Sequence, residues 1–457
     1  MKNPIGTHEE KCVGCHRCIP VCPVNANKED ISLHGPVTIL KSLIQIDDNR
    51  CIQCGECFKV CTHNARYYTD DTDSFFEDLE LKKNKMAVIT APAFLYNFEN
   101  YKHIIGWLKH LGVEIIQDVS FGADITTYTY LKLYENTAEK EQKTYISQPC
   151  PVVVHYIEKY APHLIKNLAP CQSPVMCSAI WLRKYEKFDG KIAFISPCIA
   201  KRTEFENDNN SDYINYNITI TKLKEYIDAN QIELKQFPEA EFDNMQSNLG
   251  YNYSRPGGLR EQIEYYSKDE LWVKQIEGVK HTAQYIERYS DRIKNKKPAP
   301  QLVDILNCMN GCNQGTGTNR DVLTDDVDYI INARKKQFIK QEKENQNPCD
   351  NSLFKMFNEK LDMNDFIRKY TAKPVTTREV NKKSPNYIEK LEKIFISLGK
   401  HTEEQRTHNC NACGRGCCYA FADAVISGVA MVSSCFFYSH ELLHEMLTSL
   451  RTDKRKN

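Results

Sequence analysis

The sequence predicts an α/β protein, with parallel or mixed sheets flanked by helices through its middle and a smaller cysteine-bearing module at each end. Three observations lead there. From Met86 to Asn307, short apolar strand-like runs alternate with helical stretches, the pattern of sheets covered by helices. Two cysteine runs of one spacing stand near the start, Cys12, Cys15, Cys18, Cys22 and Cys51, Cys54, Cys57, Cys61. A last cysteine group spans Cys410 to Cys435. A length of 457 residues allows two to four domains.

The N-terminal runs read Cys-x2-Cys-x2-Cys-x3-Cys, the first followed by Pro23 and the second by Thr62. This is the ligand pattern of a ferredoxin holding two 4Fe–4S clusters, and residues 1–66 are expected to form that α+β unit. The alternatives are a structural zinc site or paired disulfides. In ferredoxins the fourth cysteine of each run serves the other cluster, which implies one set of Cys12, Cys15, Cys18 and Cys61 and another of Cys51, Cys54, Cys57 and Cys22.

Composition narrows the setting. Lys plus Arg equals Asp plus Glu at 60 each, so no net field draws the chain to nucleic acid or an anionic membrane. The longest uncharged apolar stretch, Val425 to Tyr438, has 14 residues, too short for a membrane span. The N-terminus lacks the apolar core of a secretory leader. Cysteine is about 4 % of the chain, below a disulfide scaffold. Thiols at ligand spacing need a reducing compartment, so a cytoplasmic and anaerobic setting is expected.

Residues 67–85 read as an acidic-then-basic linker. Beyond it, strands are expected at Met86–Ala91, Glu114–Asp118, Thr144–Ser147, Lys191–Ser196, Tyr216–Thr221 and Gln301–Asn307. Helices are expected over Tyr96–Leu111 and Gly122–Glu135. Residues 80–332 make the central domain, and 333–400 a helical connector with solvated faces, best at Tyr387–Leu398. A small cluster domain over 401–440 and a polar tail over 441–457 complete the chain.

Three cysteine motifs each follow a strand-like run: Cys150 in SQPCP, Cys198 in SPCIAK, and Cys308 with Cys312 in NCMNGCNQGTGT. Sites in open parallel sheets form beyond the carboxyl ends of strands. Three strand ends thus aim four thiols at one place, the ligand count of a 4Fe–4S cube. Each cysteine alone reads first as a small core hydrophobe; the four together, beside Pro and Gly at matching strand ends, read as a ligand set. Pro149, Pro151 and Pro197 fix the backbone beside them, and Gly311, Gly315 and Gly317 permit close approach. Lys201 follows Cys198 by three residues and offers an ammonium to an anionic ligand such as cyanide; outside the motif it reads as a surface lysine.

SQPCP, SPCIAKRTE and CMNGCNQGTG resemble the three signature motifs of FeFe-hydrogenases, roughly TSCCPxW, MPCxxKxxE and CxxGCxxGGGQ. DVSFGADITT and Ser173-Pro174 are similar to that family as well, and the likeness covers residues 80–325. It implies a two-lobed hydrogenase-like domain with a cube on Cys150, Cys198, Cys308 and Cys312. By the same resemblance Cys312 would bridge to a di-iron unit, the H-cluster subsite, Lys201 would contact a cyanide, and Glu204 would fill the motif's glutamate position. Cys312 and Lys201 are the catalytic candidates.

Departures weaken the catalytic reading. The residue before the first ligand is a proton-passing cysteine in active family members and is Pro149 here. Val153 stands near the tryptophan position, Ser196 at the methionine, and Thr316, Thr318 and Asn319 alter the third motif. Loss of one positioned proton shuttle costs on the order of 10²–10⁴ in rate, roughly 3–5 kcal/mol of barrier. Ser196, Ser147, Cys171 and Cys177 are the candidate replacements.

The last group, Cys410-x2-Cys413-Gly414-x3-Cys418 with Cys435 after 16 residues, resembles a small helical cluster-binding domain. It implies a fourth 4Fe–4S site, with zinc as the alternative. The expected function is an iron–sulfur redox protein, sensory or regulatory, with slow reversible H2/proton chemistry as a low-turnover oxidoreductase. The alternative is an electron-transfer protein carrying only cubes. A redox partner or signalling protein is the expected partner, docking on 333–400 in a scaffold reading.

Overall fold

The computed structural model describes residues 3–34, 39–82, 84–135, 143–206, 210, 213–267, 270–319, 321–344, 352–375, 385–440 and 444. The polar tail expected after 440 lies outside them, apart from His444. The chain divides into two compact units, one of residues 69–374 and one that joins residues 2–68 to 375–457.

The larger unit contains two parallel sheets. In the first, the order is Val113–Asp118, Met86–Thr90, Lys191–Ser196, Tyr216–Thr219, with Val88 paired to both Ile116 and Ala193. Met86–Thr90 is buried at every residue, as the uninterrupted apolar run of a strand covered on both faces requires. In the second sheet Leu302–Leu306 lies between Val273–Glu277 and Tyr145–Ile146. Helix Ser120–Glu135 is buried from Ser120 to Tyr130. Its Tyr130 packs beside Leu302 of the second sheet, and its Phe121 and Ile125 pack with Cys177 and Trp181. Gly122 has no room for a side chain beside the Pro174 carbonyl and Ser178, so helix Pro174–Ile180 crosses it closely.

Several elements differ from the sequence expectation for visible reasons. The linker region contains helix Thr72–Glu80, because Phe75, Phe76 and Leu79 form one apolar face that enters the core with Trp107 and Leu223. The helix expected at Tyr96–Leu111 breaks into Ala93–Asn97 and Tyr101–His110. Asn97 turns its amide to the carbonyls of Ala93 (2.9 Å) and Asn313 (3.2 Å). The strand expected to run to Thr221 stops at Thr219, whose hydroxyl caps the next helix at the Lys222 N–H. Within the stretch read as a solvated connector, Phe357 and Phe366 are fully buried against Phe121 and Trp181.

The smaller unit is α+β. Ile5–Thr7 pairs antiparallel with Arg66–Tyr68, and Asn27–His34 with Ile39–Ile46. Its helices Pro385–Ser397 and Cys418–Ile426 enclose Phe395, Leu398, Phe421 and Ala422. Among the described residues, no helix is long and apolar enough to cross a membrane.

Candidate metal centres

In the larger unit, loops that leave the carboxyl ends of strands in both sheets carry the motif cysteines. Cys198 lies two residues past strand Lys191–Ser196 of the first sheet, Cys150 four past Tyr145–Ile146 of the second, and Cys308 two past Leu302–Leu306. Backbone contacts join the loops. Gly317 N–H donates to the Pro197 carbonyl (2.8 Å), and Thr221 N–H donates to the Gly317 carbonyl (2.9 Å). Thr316 Oγ1 accepts the Ile199 N–H at 3.3 Å and lies 3.9 Å from Cys198 Sγ. Gly315 has no room for a Cβ against the Pro197 carbonyl.

These contacts bring Cys150, Cys198 and Cys312 into mutual electrostatic reach. Burial pushes the Cys198 thiol up to about 11, and Cys150 pushes it the same way. Burial pushes Cys312 up to about 12, reinforced by Cys150 and Cys198 and opposed by Lys201. Cys308 stands at the root of the same loop, its carbonyl accepting the Gly311 N–H at 3.2 Å. Buried thiols crowded together hold their protons until a cation makes up for the thiolate charge.

Lys201 is almost wholly buried. Its ammonium donates to the Pro149 carbonyl (3.0 Å) and to Glu204 (2.6 Å). Glu204 also accepts from Arg368 at 2.8 Å. Burial raises the Glu204 carboxyl, but Lys201 and Arg368 together hold it below its ordinary value. Arg368 comes from the loop after Phe366, and no motif in the sequence marks it. The four side chains considered as proton-path replacements are engaged in the scaffold. Ser196 Oγ bonds the N–H and carbonyl of Cys198, each at 3.1 Å. Ser147 Oγ accepts from Ile305 N–H (3.1 Å), Cys177 accepts from Thr126 Oγ1 (3.3 Å), and Cys171 is buried in the second sheet's core.

In the smaller unit the cysteine repeat extends to the backbone. Gly14 and Gln53, His16 and Gly55, and Asn25 and Asn64 all have positive φ, from 49° to 73°. Each pair is separated by the same 39 positions as Cys12 and Cys51. Left-handed residues wrap each loop around its cysteines, turning N–H groups inward. Gln53 N–H reaches Cys51 Sγ at 3.3 Å, and Ala26 N–H reaches Cys22 Sγ at 3.2 Å.

Cys54 lies beside Cys22, Cys57 and Cys51, while Cys18 lies beside Cys12 and Cys15. Cys61 packs with Cys12 and Cys18. Buried Arg66 donates to Cys18 Sγ (3.4 Å) and Asn27 Oδ1 (2.8 Å) and also faces Cys57. Sequence reasoning passed over Arg66, whose only signal is its place five residues after Cys61.

In the C-terminal module Cys413 lies beside Cys435 and Cys410. Cys410, Cys413, Cys417, Cys418 and Cys435 line one small cavity with Phe421 and Phe437. Cys417 takes the helix N-cap, its sulfur accepting the Ala420 N–H at 3.4 Å.

Among the described residues no disulfide joins two cysteines. Among the described residues no three His, Cys, Asp or Glu side chains close on a single-ion site. A cube seats each cysteine on a different iron, so its ligands stand further apart than sulfurs ~2.3 Å from one zinc. The donor sets suit 4Fe–4S clusters in chemistry: soft sulfur ligands, buried walls, and an arginine or lysine beside the thiolate charge.

A family model described as iron only hydrogenase large subunit, C-terminal domain, matches residues 84–316, half of the chain. A 4Fe-4S dicluster domain model matches residues 11–66. The cytosolic Fe-S cluster assembly factor NAR1 of Encephalitozoon cuniculi is 26 % identical over 246 residues, 47 % of this chain and 64 % of that protein. The chain therefore spans less than two thirds of that relative's length. Two solved variants of FeFe-hydrogenase HydA1 from Chlamydomonas reinhardtii are each 17 % identical, covering 67 % of this chain and all of theirs, with TM-scores of 0.50 and 0.49. The first of these supports the two-sheet α/β fold. With its altered first and third motifs, the chain belongs to the iron-only hydrogenase large-subunit family as a divergent, iron–sulfur member.

Proposed function

We propose that this protein is a cytoplasmic iron–sulfur redox protein with a sensory or regulatory role, in which reversible hydrogen chemistry is slow. Two cubes on the N-terminal cysteines, one on Cys150, Cys198, Cys308 and Cys312, and one on Cys410, Cys413, Cys418 and Cys435 are its cofactors. A di-iron subsite on Cys312 would supply the proton-reducing metal. The chain's own part is to ligate, to keep the pocket dry, and to aim Lys201 at an anionic ligand.

The observation that carries this reading is Pro149. It brings neither a thiol nor a backbone N–H, and its carbonyl takes one of the three Lys201 donors. The position that passes protons in the family is closed, while the cysteines and lysine around it are kept. Infrared spectra of protein matured with the di-iron unit test this directly. Bands of CO and cyanide with weak hydrogen evolution support it; absence of those bands removes the subsite.

A second reading is an electron-transfer or cluster-handling protein with cubes alone. The likeness to an Fe–S cluster assembly factor favours it. Transfer of iron and sulfide from the loaded chain to an apo-protein, with no carbonyl or cyanide bands, would decide for it.

A further inference from the structure

Within the smaller unit, the Cys413–Arg415 turn lies on the turn between His16 and Pro20. Gly414 has φ 74°, and a Cβ there would stand 3.1 Å from Pro20 Cδ and 3.4 Å from the His16 carbonyl. Beside this contact the Arg415 and Glu29 side chains are 4 % and 0 % exposed, their charges 4.0 Å apart. Arg415 donates to the Val429 carbonyl (2.9 Å) and Asn25 Oδ1 (3.4 Å). Glu29 accepts from the Met431 N–H (3.0 Å) and the Ser434 hydroxyl.

Arg415 Nε and Glu29 Oε1 have no hydrogen-bond partner among the described residues. A buried pair this loosely matched is a poor source of stability, so its place calls for another reason. The same guanidinium faces Cys413 of the C-terminal group and Cys22 and Cys18 of the first N-terminal run, two cysteines that the ferredoxin pattern assigns to different cubes.

We propose that Arg415, seated by Glu29, holds the Cys410–Cys435 group against the N-terminal pair as the third member of one electron-transfer chain, and sets the reduction potential of its neighbours by its charge. This rests on the reading that these cysteine groups hold 4Fe–4S cubes. In the exchange one electron leaves the reduced centre of one group and enters the oxidised centre of the next; no bond is made or broken and no proton moves. Arg415 is a positioning residue. A fixed positive charge favours the added electron, and the buried setting screens it little.

The test is an EPR-monitored redox titration of the full, cluster-loaded chain. Cys413→Ser comes first: loss of one cube's signal and iron supports a C-terminal cube, and no loss overturns that reading and the inference with it. With the cube in place, Arg415→Gln lowers the midpoint potential of at least one neighbouring centre, and Arg415→Lys restores it. Glu29→Gln raises the same potential. Opposite signs mark a charge effect, since loosened packing would move both variants alike. If Arg415→Gln fails to keep its iron, the rise in Glu29→Gln decides alone. Unchanged potentials, or shifts of one sign, overturn the proposal.

Discussion

The Lys201 ammonium and the Pro149 carbonyl meet at 3.0 Å, so the residue that lacks a thiol also tethers the pocket's lysine. Pro149→Cys adds the missing proton donor. In protein matured with the di-iron unit, hydrogen evolution should rise by roughly 10²-fold or more. An unchanged rate in a gas-chromatographic assay would show that another step limits turnover.

Glu204 is buried between Lys201 and Arg368. Arg368→Met removes one partner and leaves the carboxylate with Lys201 alone, a loss of about 3–5 kcal/mol. Denaturant unfolding of the larger unit's transition measures it. The folded carboxyl sits below its ordinary value, so the pair's contribution is present above the unfolded pKa and is lost as pH falls through the folded one. The parent should therefore lose its advantage over Arg368→Met in acid.

Asp124 has the opposite sign. Burial pushes its carboxyl up to about 8 against the N–H groups of Asn248, Gly250 and Leu249. One oxygen accepts the Asn248 N–H at 2.7 Å, and the other has no partner among the described residues, as suits a protonated acid. Between about pH 4 and pH 8 the folded chain keeps a proton that the unfolded chain has lost. Stability from this group is complete below that window and falls by up to about 1.4 kcal/mol per pH unit across it. Asp124→Asn should flatten the slope in unfolding curves taken at either end; an equal slope would refute the assignment.

Phe75 is fully buried at the root of helix Thr72–Glu80, edge-on to Phe76 and Tyr216. Phe75→Ala should destabilise the larger unit by about 3–5 kcal/mol. Thermal unfolding would show whether this segment is structural or, as its charge pattern suggests, a dispensable linker.

What the sequence made legible follows from local spacing. Strand Lys191–Ser196 and the three motif loops could be read because an apolar run followed by Pro, Cys and Gly has few other meanings. The Phe75 helix was hidden because acidic and basic residues surround its three-residue apolar face. Arg66, Arg368 and Arg415 were invisible for a different reason. Each meets its partner only after tertiary folding; Arg368 lies 164 positions from Glu204. Val273–Glu277 escaped because an edge strand with one buried residue carries little periodic signal.

The three thiols that converge in the larger unit come from strand ends of two separate sheets, and Arg368, which balances Glu204 beside them, is encoded later still. A ribosome making this chain releases every cysteine of the N-terminal repeat before Cys150, Cys198 and Cys312 can meet, and Arg368 reaches Glu204 later still. Any cluster on the N-terminal repeat would find its ligands early on a nascent chain, whereas one on the central cysteines would have to wait until Cys312 has been made.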